Sequence, residues 1–330
     1  MALVFVTGGD SGFFPTLLCL LQSFSERIAG KPLFVCDFGF RPAEQEFLRR
    51  RDLLLERPAL LPPGLHPYQY KSALVMYLRE RSLGLAPGDT IIWLDGDLVM
   101  MNASLGDYAG VAAELAELDL DVAICASPTG HTVGDEIASL LALGLKAEPF
   151  ARVAADAAID LGRPYCSSGF FFCRSADLLQ RWCNLALATE HHTIIDQNML
   201  NVAMHRSLRL PLLLDCDIWQ AQFRALDAVR LVPEDAEYEA AFVGEKSVKA
   251  LHVTSPLPEH IFVGRARFCA GAIALDGMFK VFRREALMML QLRLLGRLMA
   301  RYGEELVSLG CCHRLAEPIQ GIGFHSTEND

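Results

Sequence analysis

The sequence predicts an α/β fold: a mostly parallel central sheet with helices on both faces and a helical segment at the C-terminal end. Short apolar runs alternate with helix-period stretches over the first 130 residues, the pattern of parallel strands joined by helical crossovers. Polar clusters occur where those runs end, at Thr7 to Asp10, at Asp37, and at Asp95 with Asp97. In such sheets ligands bind outside the carboxyl ends of the strands, so these clusters mark the candidate site.

Leu3–Val6 reads as a buried strand stopping at Gly8 and Gly9. Pro15 opens a helix running to about Ala29, with Gly30 as its stop. Leu33–Cys36 is the next strand, and the stretch from Arg41 and Pro42 starts a second helix. Leu53–Leu55 is a weaker strand. After Pro62, Pro63 and Pro67 the span Tyr70–Arg81 reads as one helix, and the turn Pro87–Asp89 leads into the strand Thr90–Leu94. Val122–Cys125 and Gly169–Cys173 are further strands, with an Ala/Leu-rich helical insertion from Gly134 to Gly162 between them. Ala176–Glu190 and Asp196–His205 read as helices, Ala250–Val253 as a last strand, and Leu275–Leu309 as helical throughout. The tail after about Pro318 carries little packing material and reads as loose.

Composition narrows the function classes. The chain has 330 residues, 52% of them hydrophobic and 21% charged, which suits a globular enzyme with a sizeable core. A net charge of −10 argues against a general nucleic-acid binder, whose affinity rests on a basic surface. The N-terminal stretch lacks the basic start of a secretory signal, and no apolar run reaches the ~18 residues of a membrane span. The ten cysteines show no metal-ligand spacing and sit mostly in apolar runs. They read as reduced core residues of a cytoplasmic protein. The adjacent pair His191 and His192 reads as surface, because neighbours on a helix do not face each other.

Asp95-Gly96-Asp97 carries the strongest chemical signal. Two carboxylates two residues apart at a strand end can share one hard divalent ion, with Gly96 letting the backbone turn between them.

The segments Phe5–Asp10, Phe34–Gly39, Tyr70-Lys71, Trp93–Asp97, Ser167–Phe172, Asp196–Asn201 and Leu251-His252 follow the order found in GT-A (nucleotide-diphospho-sugar transferase) glycosyltransferases. The sequence most resembles glycosyltransferase family 8, the glycogenin and lipopolysaccharide-galactosyltransferase group, over about residues 3 to 256. The resemblance implies a GT-A catalytic domain over residues 1–258 and a C-terminal helical extension over 259–330. It implies a nucleotide-sugar donor such as a UDP-sugar, Mn²⁺ or Mg²⁺ as cofactor, and a saccharide or lipid-linked acceptor. It also implies roles for residues. Asp95, Asp97 and His252 would hold the metal, the other ring nitrogen of His252 being fixed by a further partner. Val6, Thr7, Gly8, Asp10 and Asp37 would meet the nucleoside, and Lys71 and Gly96 would lie at the donor. Ser168 and Gly169 would line the sugar pocket, with Asp196 and Gln197 beside the anomeric carbon as the catalytic pair. Asp196 also suits a helix N-terminus, where a carboxylate complements the macrodipole.

The family pattern is broken after His252, where Val253-Thr254-Ser255-Pro256 replaces a glycine followed by a phosphate-gripping lysine–proline pair. The grip is expected instead from Lys246, Lys249, Arg265 or Arg267. Ser167 stands where the family has asparagine. With no evident general base, retention of anomeric configuration is favoured over inversion. Two alternatives share the fold: a sugar-1-phosphate nucleotidyltransferase, disfavoured because the loop after the first strand has no basic residue, and a non-catalytic sugar-nucleotide binder. A Rossmann oxidoreductase is disfavoured by the missing GxGxxG. The Leu/Met/Arg segment with Arg283, Arg284, Arg293, Arg297 and Arg301 reads either as an amphipathic helix packed on the sheet or as a peripheral contact with the inner face of a membrane.

Overall fold

The computed structural model describes residues 2–84, 86–207, 209–235 and 238–326. Seven strands lie side by side in the order Leu54–Leu55, Leu33–Gly39, Leu3–Asp10, Thr90–Leu94, Cys166–Cys173, Val122–Ala126 and Leu212–Leu214. Leu3–Asp10 and Thr90–Leu94 pair in parallel, as do Val122–Ala126 and Leu212–Leu214. Cys166–Cys173 runs against both of its neighbours, so one reversed strand interrupts a sheet of the predicted kind. Thr90–Leu94 and Cys166–Cys173 are buried along their whole length, which is why they read as unbroken apolar runs rather than alternating ones.

The first strand is longer than Leu3–Val6: it continues through Gly8 and Gly9 to Asp10. The two glycines are an accommodation, not a break. A Cβ on Gly8 would lie 2.2 Å from the Phe38 ring, and one on Gly9 would lie 3.3 Å from Phe40. Neighbouring aromatic rings therefore fill the space that side chains would occupy.

By contact the chain divides into two compact units. The first comprises Met1–Val6, Leu55–Leu94 and Leu105–Cys216. Trp93 stacks on Phe171, and Phe171 meets Trp182 edge-on. Tyr108 is buried among Phe5, Phe170 and Phe172. The expected helix Tyr70–Arg81 is two helices, Pro67–Ser72 and Leu74–Glu80, parted at Ala73. The Ala/Leu-rich insertion likewise forms Val133–Ala142 and Glu148–Asp156, the former capped by Thr132 and Asp135 in a reciprocal box. Helices Ala176–Ala188 and Ile195–His205 pack together.

The second unit comprises Thr7–Leu54, Asp95–Ser104 and Asp217–Asp330. Here the helix Phe14–Arg27 packs on the long helix Glu285–Leu309. The helix expected over Leu275–Leu309 begins only at Glu285, because Ile273–Phe282 is a strand. It pairs antiparallel with Ile261–Ala270, which also pairs with Ile322–Ser326. Over the described residues 259–326 the segment is thus a four-stranded antiparallel sheet with one helix, and part of the tail expected to be loose is its edge strand. Three of the arginines in or just before the long helix are engaged by partners: Arg297 grips Glu26 at 2.7 and 2.8 Å, Arg293 pairs with Glu239, and Arg284 reaches the carbonyls of Leu226 and Val229. No helix among the described residues is long and apolar enough to cross a membrane.

Candidate functional site

Asp95 follows the strand Thr90–Leu94, and Asp95–Asp97 form a tight turn into the strand Leu98–Met100, with the Leu98 amide donating to the Asp95 carbonyl at 3.1 Å. Leu98–Met100 pairs antiparallel with Ala250–His252, placing His252 opposite Leu98. The Val253 amide donates to the Asp97 carbonyl at 3.0 Å and extends that pairing across the acidic turn. Residues 155 positions apart therefore meet because two short strands share a register.

The outcome is a three-residue cluster. One ligand atom from each of Asp95, Asp97 and His252 lies within 4.8 Å of the others. His252 Nε2 is 3.1 Å from Asp97 Oδ1 and 3.9 Å from Asp95 Oδ2. Two carboxylates and an imidazole form a donor set that could hold a divalent cation. His252 Nδ1 is buried without a hydrogen-bond partner among the described residues, so the expected orienting partner is not there.

Lys280 completes the cluster, and the sequence reading missed it. It projects from the strand Ile273–Phe282, and its Nζ donates to Asp97 Oδ2 at 2.5 Å. Burial pushes the Asp97 carboxyl up, but Lys280 and His252 outweigh that and hold it well below the usual carboxylate range. The missed signal was the alternation of buried Phe279 and Val281 around a half-buried Lys280, a strand pattern inside a span read as helix.

Among the other predicted residues of this unit, Thr7 and Gly8 lie against the turn. A Cβ on Gly96 would lie 3.1 Å from the Gly8 carbonyl oxygen and 3.9 Å from Thr7 Oγ1, so only glycine fits closely there. Thr7 is fully buried and its hydroxyl lacks a partner among the described residues. Asp10 Oδ1 accepts from the Gly12 and Phe13 amides at 2.8 and 3.2 Å, fixing the turn ahead of helix Phe14–Arg27. Asp37 is buried: Oδ1 accepts from the amides of Gly39 and Phe40, and Oδ2 from Gln45. Both carboxylates thus hold local backbone. Of the expected phosphate-gripping cations, Arg267 is bidentate on Asp276 and Lys249 reaches the Asn102 carbonyl at 3.4 Å. Lys246 and Arg265 are exposed.

In the first unit the structure joins another predicted group. Lys71 Nζ lies 2.8 Å from Asp196 Oδ2 and 3.0 Å from Ser168 Oγ, and the Ser168 hydroxyl donates to the same Asp196 oxygen at 2.8 Å. Gln197 Oε1 accepts from the Ser168 amide at 3.1 Å. Asp196 lies in the first turn of Ile195–His205, which follows Ile194 in a left-handed conformation, and its carbonyl accepts from Trp182 Nε1 at 2.7 Å. Lys71 Nζ is 5.6 Å from the centre of the Trp93 ring. Lys71, Ser168 and Asp196 are each at most 5% exposed. Val6 is a fully buried strand residue paired with Trp93, and Gly169 is buried in the reversed strand. Of the two adjacent histidines, His191 is exposed and stacks on His66, whereas His192 is buried instead of lying at the surface.

No protein-family model and no curated protein matches the chain. Among solved structures it is similar to the apo bifunctional glycosyltransferase WbbM, at 12% identity and a TM-score of 0.44 over 66% of this chain. The match spans 39% of the WbbM chain. It is also similar to an active-site mutant of LgtC, at 14% identity and a TM-score of 0.42 over 76% of this chain and 86% of that one. A third similar structure is galactosyltransferase LgtC in complex with donor and acceptor sugar analogs, at 14% identity and a TM-score of 0.40 over 69% of this chain and 77% of that one.

Proposed function

We propose that the chain is a divalent-metal-dependent glycosyltransferase that moves a sugar from a nucleoside-diphosphate donor, a UDP-sugar, to a saccharide or lipid-linked acceptor. The observation that carries this reading is the convergence of Asp95, Asp97 and His252 on one point within 4.8 Å. Those three residues would hold Mn²⁺ or Mg²⁺, which when bound supplies charge neutralisation for the departing diphosphate. Gly8 and Gly96 approach each other closely beside the acidic turn, where a Cβ on Gly96 would lie 3.1 Å from the Gly8 carbonyl oxygen. Asp10 and Asp37 shape the neighbouring turns, so their contribution to nucleoside binding is through loop geometry.

Asp196 and Gln197 take part in the transfer by holding groups in place. A buried carboxylate bonded to Lys71 and Ser168 orients both, and Gln197 fixes the Ser168 amide. Retention of configuration is part of this proposal, with an amide or carboxylate oxygen steadying positive charge at the anomeric carbon. Ten cysteines, none in a disulfide and nine buried, support a reducing cytoplasmic setting.

The test is calorimetric titration of UDP with and without Mn²⁺, together with Mn²⁺-dependent hydrolysis of UDP-sugars. Asp97→Asn should remove the Mn²⁺-dependent part of UDP binding and the turnover while the thermal unfolding transition stays cooperative. Metal-dependent binding that survives in Asp97→Asn would refute the site.

A further inference from the structure

Both oxygens of Asp97 are already engaged by this chain: Oδ1 by His252 Nε2 at 3.1 Å and Oδ2 by Lys280 Nζ at 2.5 Å. The lysine is held in place by its backbone. Its amide donates to Thr16 Oγ1 at 3.0 Å, and its carbonyl accepts from Gln291 Nε2 at 3.3 Å. The strand carrying it pairs along its length with Ile261–Ala270, Val263 standing opposite Lys280. The backbone anchor is therefore fixed, while the flexible four-carbon stem leaves the ammonium able to move by a few ångströms. Lys280 remains 24% exposed at its side chain and Asp97 16%, so the pair lies at the open edge of the acidic turn.

A divalent ion placed on Asp95, Asp97 and His252 would share Asp97 with this ammonium, and the two cations repel at such short range. An anion accepting from Lys280 while ligating the same ion relieves the conflict, and a diphosphate has oxygens for both tasks. Resting on the metal-site reading above, we infer that Lys280 is a cation latch: it neutralises Asp97 in the empty site and passes to the diphosphate when metal and nucleotide enter together. Metal and nucleoside diphosphate then bind cooperatively, and Lys280 is the source of that coupling. The chain thereby supplies its diphosphate grip from a strand in its C-terminal antiparallel sheet, 28 residues beyond His252. Coupling is reciprocal, so each ligand raises affinity for the other by one factor.

The experiment is titration of Mn²⁺, followed by electron paramagnetic resonance, into the full chain with and without UDP, for wild type, Lys280→Met and Lys280→Arg. Melting curves confirm that the variants fold, and Lys280→Gln serves if Lys280→Met does not. Removing the charge should tighten Mn²⁺ binding without UDP by about tenfold and weaken UDP binding at saturating Mn²⁺ by about tenfold, with Lys280→Arg retaining much of the UDP affinity. Unchanged or weaker Mn²⁺ binding in the uncharged variant overturns the latch. If wild type binds Mn²⁺ and UDP but the uncharged variant alters neither constant, the role of Lys280 falls and the glycosyltransferase reading stands. If wild type binds neither ligand, both fall.

Discussion

Lys71 and Asp196 form an ion pair at 2.8 Å whose side chains are only 6% and 5% exposed, with Ser168 bonded to both. Desolvating two charges is costly, and the pair persists because each is satisfied by the other and by a hydroxyl. Removing one partner strands the other in the interior. Lys71→Met or Asp196→Asn should each cost about 3–5 kcal/mol of unfolding free energy, measured by urea titration. The double variant Lys71→Met/Asp196→Asn should recover a large part of that loss, giving a coupling energy well above the noise of a double-mutant cycle. Additive losses would show that the pair contributes nothing as a pair.

Gly8 offers a second cycle. The Phe38 ring occupies the volume a Cβ would need, at 2.2 Å, and Phe38 is itself 9% exposed within a packed region. Gly8→Ala should cost about 1–3 kcal/mol by overpacking, and Phe38→Leu in the same chain should return most of it. Because Gly8 lies beside Gly96 at the acidic turn, Gly8→Ala should also weaken UDP binding in the calorimeter, and the rescue variant should restore part of it.

The histidines of the first unit predict acid sensitivity above the carboxylate range. His205 Nε2 donates to the Pro164 carbonyl at 2.9 Å, and Nδ1 is buried without a partner among the described residues. His192 repeats the arrangement in mirror form, Nδ1 donating to the Glu190 carbonyl at 2.9 Å and Nε2 buried. Burial lowers the pKa of both, since a second proton would place an unpaired charge inside. The folded state thus binds fewer protons than the unfolded chain once the pH falls below about 6.5. The associated stability is fully present above that value and drains as pH falls toward the lowered folded pKa values, by at most about 1.4 kcal/mol per pH unit for each histidine. Urea midpoints at pH 7.5 and 5.5 should therefore differ more in wild type than in His192→Gln/His205→Gln.

These residues also separate what local sequence can specify from what it cannot. Thr90–Leu94 was legible because an apolar run bounded by Asp89 and Asp95 has one plausible conformation in a buried parallel sheet. The cluster of Asp95, Asp97 and His252 was legible through order along the chain. Gly8 and Gly9 misled, because glycine punctuates a strand in one context and makes room for aromatic rings in another, and Phe38 and Phe40 come from elsewhere. Leu275–Leu309 misled for a related reason: the strand Ile273–Phe282 is defined by pairing with Ile261–Ala270, while the apolar content of its first half continues smoothly into a true helix. That error hid Lys280. Asp37, which the resemblance places at the nucleoside, also has a local task that no sequence pattern announced: its oxygens close a turn with Gly39, Phe40 and Gln45.

Thiol chemistry gives a whole-chain check. Nine of the ten cysteines are buried and Cys216 is half-buried. Burial pushes Cys19, Cys166, Cys173 and Cys312 up to about 12, and Cys183 and Cys311 up to about 11. The thiolate is the nucleophile, so a pKa near 12 cuts its population at pH 8 by about a thousandfold relative to an unperturbed thiol, before access is considered. The native protein should therefore react with Ellman's reagent in one fast phase of about one thiol, removed by Cys216→Ser, with the rest released only by denaturant. A native fast phase of several thiols would show that the core cysteines are not sequestered as described.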